Sequence, residues 1–81
     1  MSDDLRTLIV DALVEVAPEI DPADVRDDEP VQEQFDLDSM DFLAFLEGVA
    51  ARTGVEIPER AYRDVETIAG CVTYVAAARS A

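Results

Sequence analysis

Histidine, lysine and tryptophan are absent from these 81 residues, and cysteine occurs once. Without histidine there is no Ser-His-Asp or Cys-His arrangement, so no serine has an evident base to make it an enzymatic nucleophile. A lone Cys71 excludes an internal disulfide and any CxxC-type metal site. Its place at helical spacing among Ile68, Val72 and Val75 marks it as a buried structural thiol. Positive charge is scarce as well. Six arginines face nineteen acids, for a formal net charge of −13. That field repels nucleic-acid phosphates and anionic lipid, and steers the chain toward protein partners with Arg/Lys patches; part of it simply keeps a small domain soluble. No apolar run approaches membrane-spanning length, and the start MSDDLRTL lacks the basic and apolar segments of a signal peptide. The expectation is a cytoplasmic monomer that binds neither nucleic acid nor membrane.

What is present suits a small folded unit. Residues 1–81 give room for one domain, which buries roughly 60% of its unfolded surface, and 49% apolar content is enough to fold it. Leu5, Leu8, Ile9, Ala12, Leu13 and Val16 follow helical spacing, with Ser2 or Asp3 as cap and Pro18 as stop; Asp11 and Glu15 fall on the solvated side. From Glu19 to Leu37 no long periodicity appears, apart from an Asp21-Pro22 start for a single turn. A connection of that length in so short a domain implies a function. Ile20, Val25, Val31, Phe35 and Leu37 are placed to pin it to the core, whereas Asp24, Asp27, Asp28, Glu29 and Glu33 read as solvent surface.

A second helix is expected over Ser39–Thr53, closed by Gly54 as a left-handed cap. Phe42, Phe45, Leu46, Val49 and Thr53 share one face; Met40, Leu43, Ala44, Glu47 and Ala51 share the other, which is unusually apolar for so acidic a chain. That second face is either a docking surface or is covered by the long loop or the third helix. Val55, Ile57 and Pro58 return the chain to the core, Glu59–Arg63 offers a short helix, and Thr67 caps a last helix whose stripe is Ile68, Cys71, Val72, Val75 and Ala76, with Arg79 near its negative end. Tyr62 and Tyr74 read as packing residues with wet hydroxyls. The fold class is all-α: a four-helix bundle of three main helices and one short one, with a long first loop.

The stretch FDLDSMDFLAFL, from Phe35 to Leu46, holds the candidate site. Asp36 and Asp38 precede the second helix, so Ser39 stands at a helix N-terminus, where unpaired N–H groups and the peptide dipoles favour an anion. Asp-Ser pairs at helix starts are also ordinary caps. Asp36-x-Asp38 with Glu47 has a partial likeness to a calcium-binding EF-hand loop, but Met40 replaces an oxygen ligand, Asp41 stands where glycine makes the sharp turn, and an amphipathic helix would have to unwind. No metal site is expected. A helical protein-interaction module using Met40 and Leu43 without any prosthetic group is the stronger rival; it requires Ser39→Ala to be harmless.

Asp38-Ser39-Met40-Asp41, then Gly54-Val55-Glu56-Ile57-Pro58, then Asp64-Val65-Glu66-Thr67-Ile68 decide the balance. In these segments, and from about Leu5 to Ala76, the chain resembles an acyl carrier protein of the phosphopantetheine-binding family. The resemblance implies a carrier, not an enzyme, with 4′-phosphopantetheine transferred from coenzyme A onto Ser39 by a separate phosphopantetheinyl transferase, and acyl groups held on the arm as thioesters. It makes Asp38 the residue before the modified serine and Met40, Asp41, Leu43 and Glu47 partner-docking positions. It makes Phe45, Leu46 and Val49 candidates for an acyl-chain cavity. Its partners would be an acyl-loading ligase or acyltransferase, and synthases or other acyl-processing enzymes with basic patches.

Two departures refine this. Asp36 stands where the family usually has glycine, which implies a different turn into Ser39. Ala44, Ala50 and Ala51 stand where carriers for general fatty-acid synthesis are usually acidic, which implies a discrete carrier for a specialised lipid, polyketide or other secondary pathway. The alternative within the family is a peptidyl or aminoacyl carrier of a nonribosomal pathway.

Overall fold

Helical periodicity becomes four α-helices in the computed structural model, which describes the backbone of residues 2–80 and the side chains of residues 4–80: α1 (Ser2–Val16), α2 (Val31–Phe35), α3 (Ser39–Thr53) and α4 (Ile68–Ser80). The expected cap at Ser2 or Asp3 lies outside the described side chains. No strand occurs among the described residues, and α1 packs against both α3 and α4. Ile9, Leu13, Phe45, Val49, Ile68, Cys71 and Val75, all removed from solvent, meet between these three helices. They are the apolar stripes that helical spacing predicts, with Val10 buried in addition.

The long connection has more structure than its sequence suggests. Asp21 caps a 3₁₀ turn at Pro22–Asp24 by accepting the Ala23 N–H at 2.9 Å, and α2 forms where only loop was expected. The turn of helix after the Ile57-Pro58 elbow is a 3₁₀ turn, Glu59–Ala61, so the short α-helix of the bundle is α2. Ile20, Val25 and Val31 are buried and Phe35 and Leu37 pack on the core, as their pinning role requires.

Backbone and side-chain hydrogen bonds complete the attachment. The Val31 N–H donates to the Glu66 carbonyl and the Ala69 N–H to the Asp27 carbonyl, each at 2.9 Å, tying the loop to the entry of α4. Gln34 closes the loop on itself, its Oε1 accepting from Arg26 N–H and its Nε2 donating to the carbonyls of Arg26 and Glu29. The Arg6 guanidinium grips both carboxylate oxygens of Asp27 at 2.9 and 3.0 Å. Asp27 is therefore more than the solvent surface its sequence context suggests.

Gly70, in the first turn of α4, explains how closely the preceding turn packs. Thr67 caps the helix, its Oγ1 accepting the Gly70 N–H at 2.9 Å, and a Cβ added at Gly70 would lie 2.0 Å from the Asp64 carbonyl oxygen. That contact is with backbone, so it cannot be relieved by a rotamer. Gly70→Ala is expected to lower stability by about 1–3 kcal/mol, read as a reduced urea midpoint at unchanged slope; an unchanged midpoint would show that the 64–67 turn yields freely.

Candidate functional site

The approach to Ser39 begins at the C-terminus of α2. Asp36 sits there at φ 53°, ψ 46°, in the left-handed region, with its N–H on the Gln32 carbonyl. It is the only non-glycine residue with positive φ among the described residues. The conformation is one that glycine adopts without cost and Asp tolerates better than most, so Asp36 occupies a backbone position that glycine would also suit. After it the chain extends, and Asp38 caps α3. Its Oδ1 accepts the Asp41 N–H at 2.8 Å while its carbonyl takes the Phe42 N–H at 3.0 Å.

This cap places Ser39 as the first residue of α3. Its side chain is exposed and its hydroxyl has no hydrogen-bond partner among the described residues. Asp38, not Ser39, serves the first turn, so the cap role offered for an Asp-Ser pair belongs to the aspartate. The amides of Ser39 and Met40 remain as the first-turn donors that helix geometry leaves unpaired.

The two faces of α3 separate cleanly. Phe42, Phe45, Leu46 and Val49 are buried, Phe42 meeting the Tyr62 ring edge-on at a centroid distance of 6.3 Å. Met40 is 79% exposed and Leu43 40%, with Ala44, Glu47 and Ala51 beside them in solvent and Asp41 half-buried. Met40 stands clear of the loop and of the turn after Pro58, whereas Leu43 shares grooves with Arg60, Tyr62 and Arg63 of that segment. α3 is helical through Glu47, so the twelve-residue EF-hand loop does not form, and no cluster of three or more Cys, Asp or Glu side chains suits a metal among the described residues.

Two surface grooves run beside α3. Ser39 lies on the wall of one of about 330 Å³, with Phe42 and Leu43 of α3 on its side and Tyr62, Arg63 and Glu66 opposite. A second, of about 520 Å³, is bounded by Leu46 and Glu47 of α3, Ile57, Arg60 and Tyr74. Leu43 and Tyr62 line both. Of the three residues considered for an acyl cavity, Leu46 reaches the second groove, whereas Phe45 and Val49 are wholly inside the core. Gln32, Tyr62, Arg63 and Glu66 were not singled out as site residues from the sequence. Only the Ile57-Pro58 elbow, which turns the 59–66 segment back toward α3, pointed that way.

Cys71 is removed from solvent, its thiol 3.3 Å from the Val65 carbonyl. Burial pushes its pKa up from 9.0 to about 12. Well below pH 9 it is protonated in folded and unfolded chains alike; as pH nears and passes 9 the unfolded chain ionises first, so this group's contribution to stability falls as pH rises toward 12. It offers no thiolate at neutral pH.

A family model described as the phosphopantetheine attachment site matches residues 5–75. Among curated proteins, none matches the chain significantly. What the family attaches is 4′-phosphopantetheine, and an exposed, unbonded serine hydroxyl opening onto a groove fits such a group.

The left-handed residue before Ser39 yields a direct check. Asp36→Gly is expected to stay within about 1 kcal/mol of the parent, relief of the side-chain conflict offsetting glycine's entropy cost, whereas the β-branched Asp36→Val loses about 1–2 kcal/mol. Thermal or urea unfolding of the three proteins reads this; equal stability of the Val variant would mean that the turn rearranges.

Proposed function

Because the chain belongs to the phosphopantetheine attachment-site family, we propose that it is an acyl carrier whose Ser39 bears the arm and whose cargo serves a specialised lipid, polyketide or other secondary pathway. Domains of this family carry and do not catalyse. The observation that supports the reading best is the Ser39 hydroxyl, exposed and unbonded at the capped start of α3.

In the attachment step the Ser39 oxygen attacks the phosphorus of coenzyme A that bears the pantetheine. The new O–P bond forms as the bond to the adenosine bisphosphate leaving group breaks, and the hydroxyl proton passes to a general base in the complex with the transferase. Asp38 keeps Ser39 at the helix start, and the first-turn amides and dipole favour the phosphate bonded there. The arm supplies a thiol whose thioesters are activated toward nucleophiles, on a tether that raises the effective concentration of cargo at a docked enzyme. With Cys71 buried and protonated, no protein thiol competes for acyl groups at neutral pH.

Met40, Asp41, Leu43 and Glu47 would meet the transferase, the loading ligase or acyltransferase and the acyl-processing enzymes, pairing apolar contact with an acidic surface suited to basic patches. Ala44 and Ala51 leave that face less acidic than carriers of general fatty-acid synthesis usually are, which favours a dedicated partner set. The strong acidity, and Asp36 in place of a glycine-rich approach, favour acyl over peptidyl cargo.

Loading tests this. After treatment with coenzyme A, a broad-specificity transferase and an acyl-loading enzyme, the parent is expected to gain an acyl mass that hydroxylamine removes, and Ser39→Ala to gain none. General fatty-acid enzymes are expected to turn over the loaded parent poorly and Ala44→Glu better. Loading only by an amino-acid-activating enzyme would establish the peptidyl alternative; full turnover of the parent by general enzymes would refute the specialised role.

A further inference from the structure

Arginine is this chain's only cation apart from its amino terminus, so where each one is committed carries information. Arg6 is held by Asp27, Arg26 by Glu29 and Arg52 by Glu15. Arg63 makes no ion pair or hydrogen bond among the described residues, although Glu66 lines the same groove. It is exposed, and it is the one cation on the wall of the groove that Ser39 opens into. Around Ser39 the other charges are negative: Asp36, Asp38 and Asp41 all stand within three residues of it.

A phosphodiester on Ser39 therefore meets repulsion from its own segment and a single unpaired guanidinium across the groove. Guanidinium donors match phosphate oxygens two at a time, and Arg is less strongly hydrated than Lys. Resting on the reading of Ser39 as the attachment point, we propose that Arg63 is a positioning residue for the arm. It pairs with the phosphate and lays the arm along the groove past Leu43 and Tyr62. Those two residues also line the larger groove, so an arm drawn this way delivers its thiol end toward Leu46, Arg60 and Tyr74 and away from the open Met40 side of α3.

The test compares apo and holo forms of the parent, Arg63→Gln and Arg63→Lys, each certified by intact mass, using amide shifts and the ³¹P resonance at low and high salt. In the parent, attachment is expected to shift the amides of Gln32, Tyr62, Arg63 and Glu66, and salt is expected to move the ³¹P line. Arg63→Gln loses both effects while its apo spectrum stays that of the parent; Arg63→Lys keeps part of them. Perturbations confined to the neighbours of Ser39, or identical in parent and Arg63→Gln, would overturn the proposal. So would slower modification of Arg63→Gln with an unchanged holo spectrum, which would assign Arg63 to transferase contact instead. Absence of the mass increment in the parent would overturn the attachment reading itself, an outcome separable from the others.

Discussion

The hydrogen bond from the Asp41 N–H to the Asp38 carboxylate, 2.8 Å long, sets where α3 begins. At 3.6 residues per turn, as in any α-helix, each residue of delay would swing the incoming chain by about 100° around the helix relative to its buried face. With the start at Ser39, Phe42, Phe45, Leu46 and Val49 point into the bundle, and Ser39, Met40 and Leu43 point out. The cap itself contributes about 1 kcal/mol; burying the aromatic and aliphatic face behind it contributes several times that. Cap and core agree on one register, which is why the Ser39 hydroxyl can stand exposed at the end of a helix whose other face is buried.

Charge works on a different part of the molecule. A net −13 on 81 residues favours expansion by self-repulsion, and the long first connection carries much of it. Val25 and Val31 hold that connection by burial, and the Asp27 and Glu66 carbonyls by backbone bonds. Its ion pairs are partly exposed, Arg6 and Asp27 at 37% and 47%, and pairs of that kind contribute about 0–1 kcal/mol each. They orient the loop more than they stabilise it. The same acidity surrounds Met40 and Leu43, the large apolar side chains that α3 exposes.

The helices α1, α3 and α4 were legible because each has an apolar stripe at helical spacing and a recognisable stop: Pro18, Gly54 and, at the start of α4, the Thr67 cap. Gly54 does adopt φ 74°. The five-residue α2 was not legible, since Val31 and Phe35 are too few to show a period and tertiary contacts hold it. At the site, Asp38 and Ser39 were readable from local capping chemistry. Arg63, Tyr62 and Glu66 were not, because their relation to Ser39 exists only after the 59–66 segment folds against α3. The left-handed backbone at Asp36 lay hidden for a similar reason: its side chain permits that conformation without requiring it.

Cleavage after Arg26 and Arg52 releases residues 27–52, a peptide in which Ser39 is the only hydroxyl-bearing residue and which contains no cysteine. Tandem mass spectrometry of that peptide, from protein incubated with coenzyme A and an active transferase, tests the central claim most directly. Attachment at Ser39 requires the phosphopantetheine mass on residues 27–52, with fragments placing it at that serine. An unmodified 27–52 peptide, or the same mass on a peptide bearing Ser2 or Ser80, would contradict it.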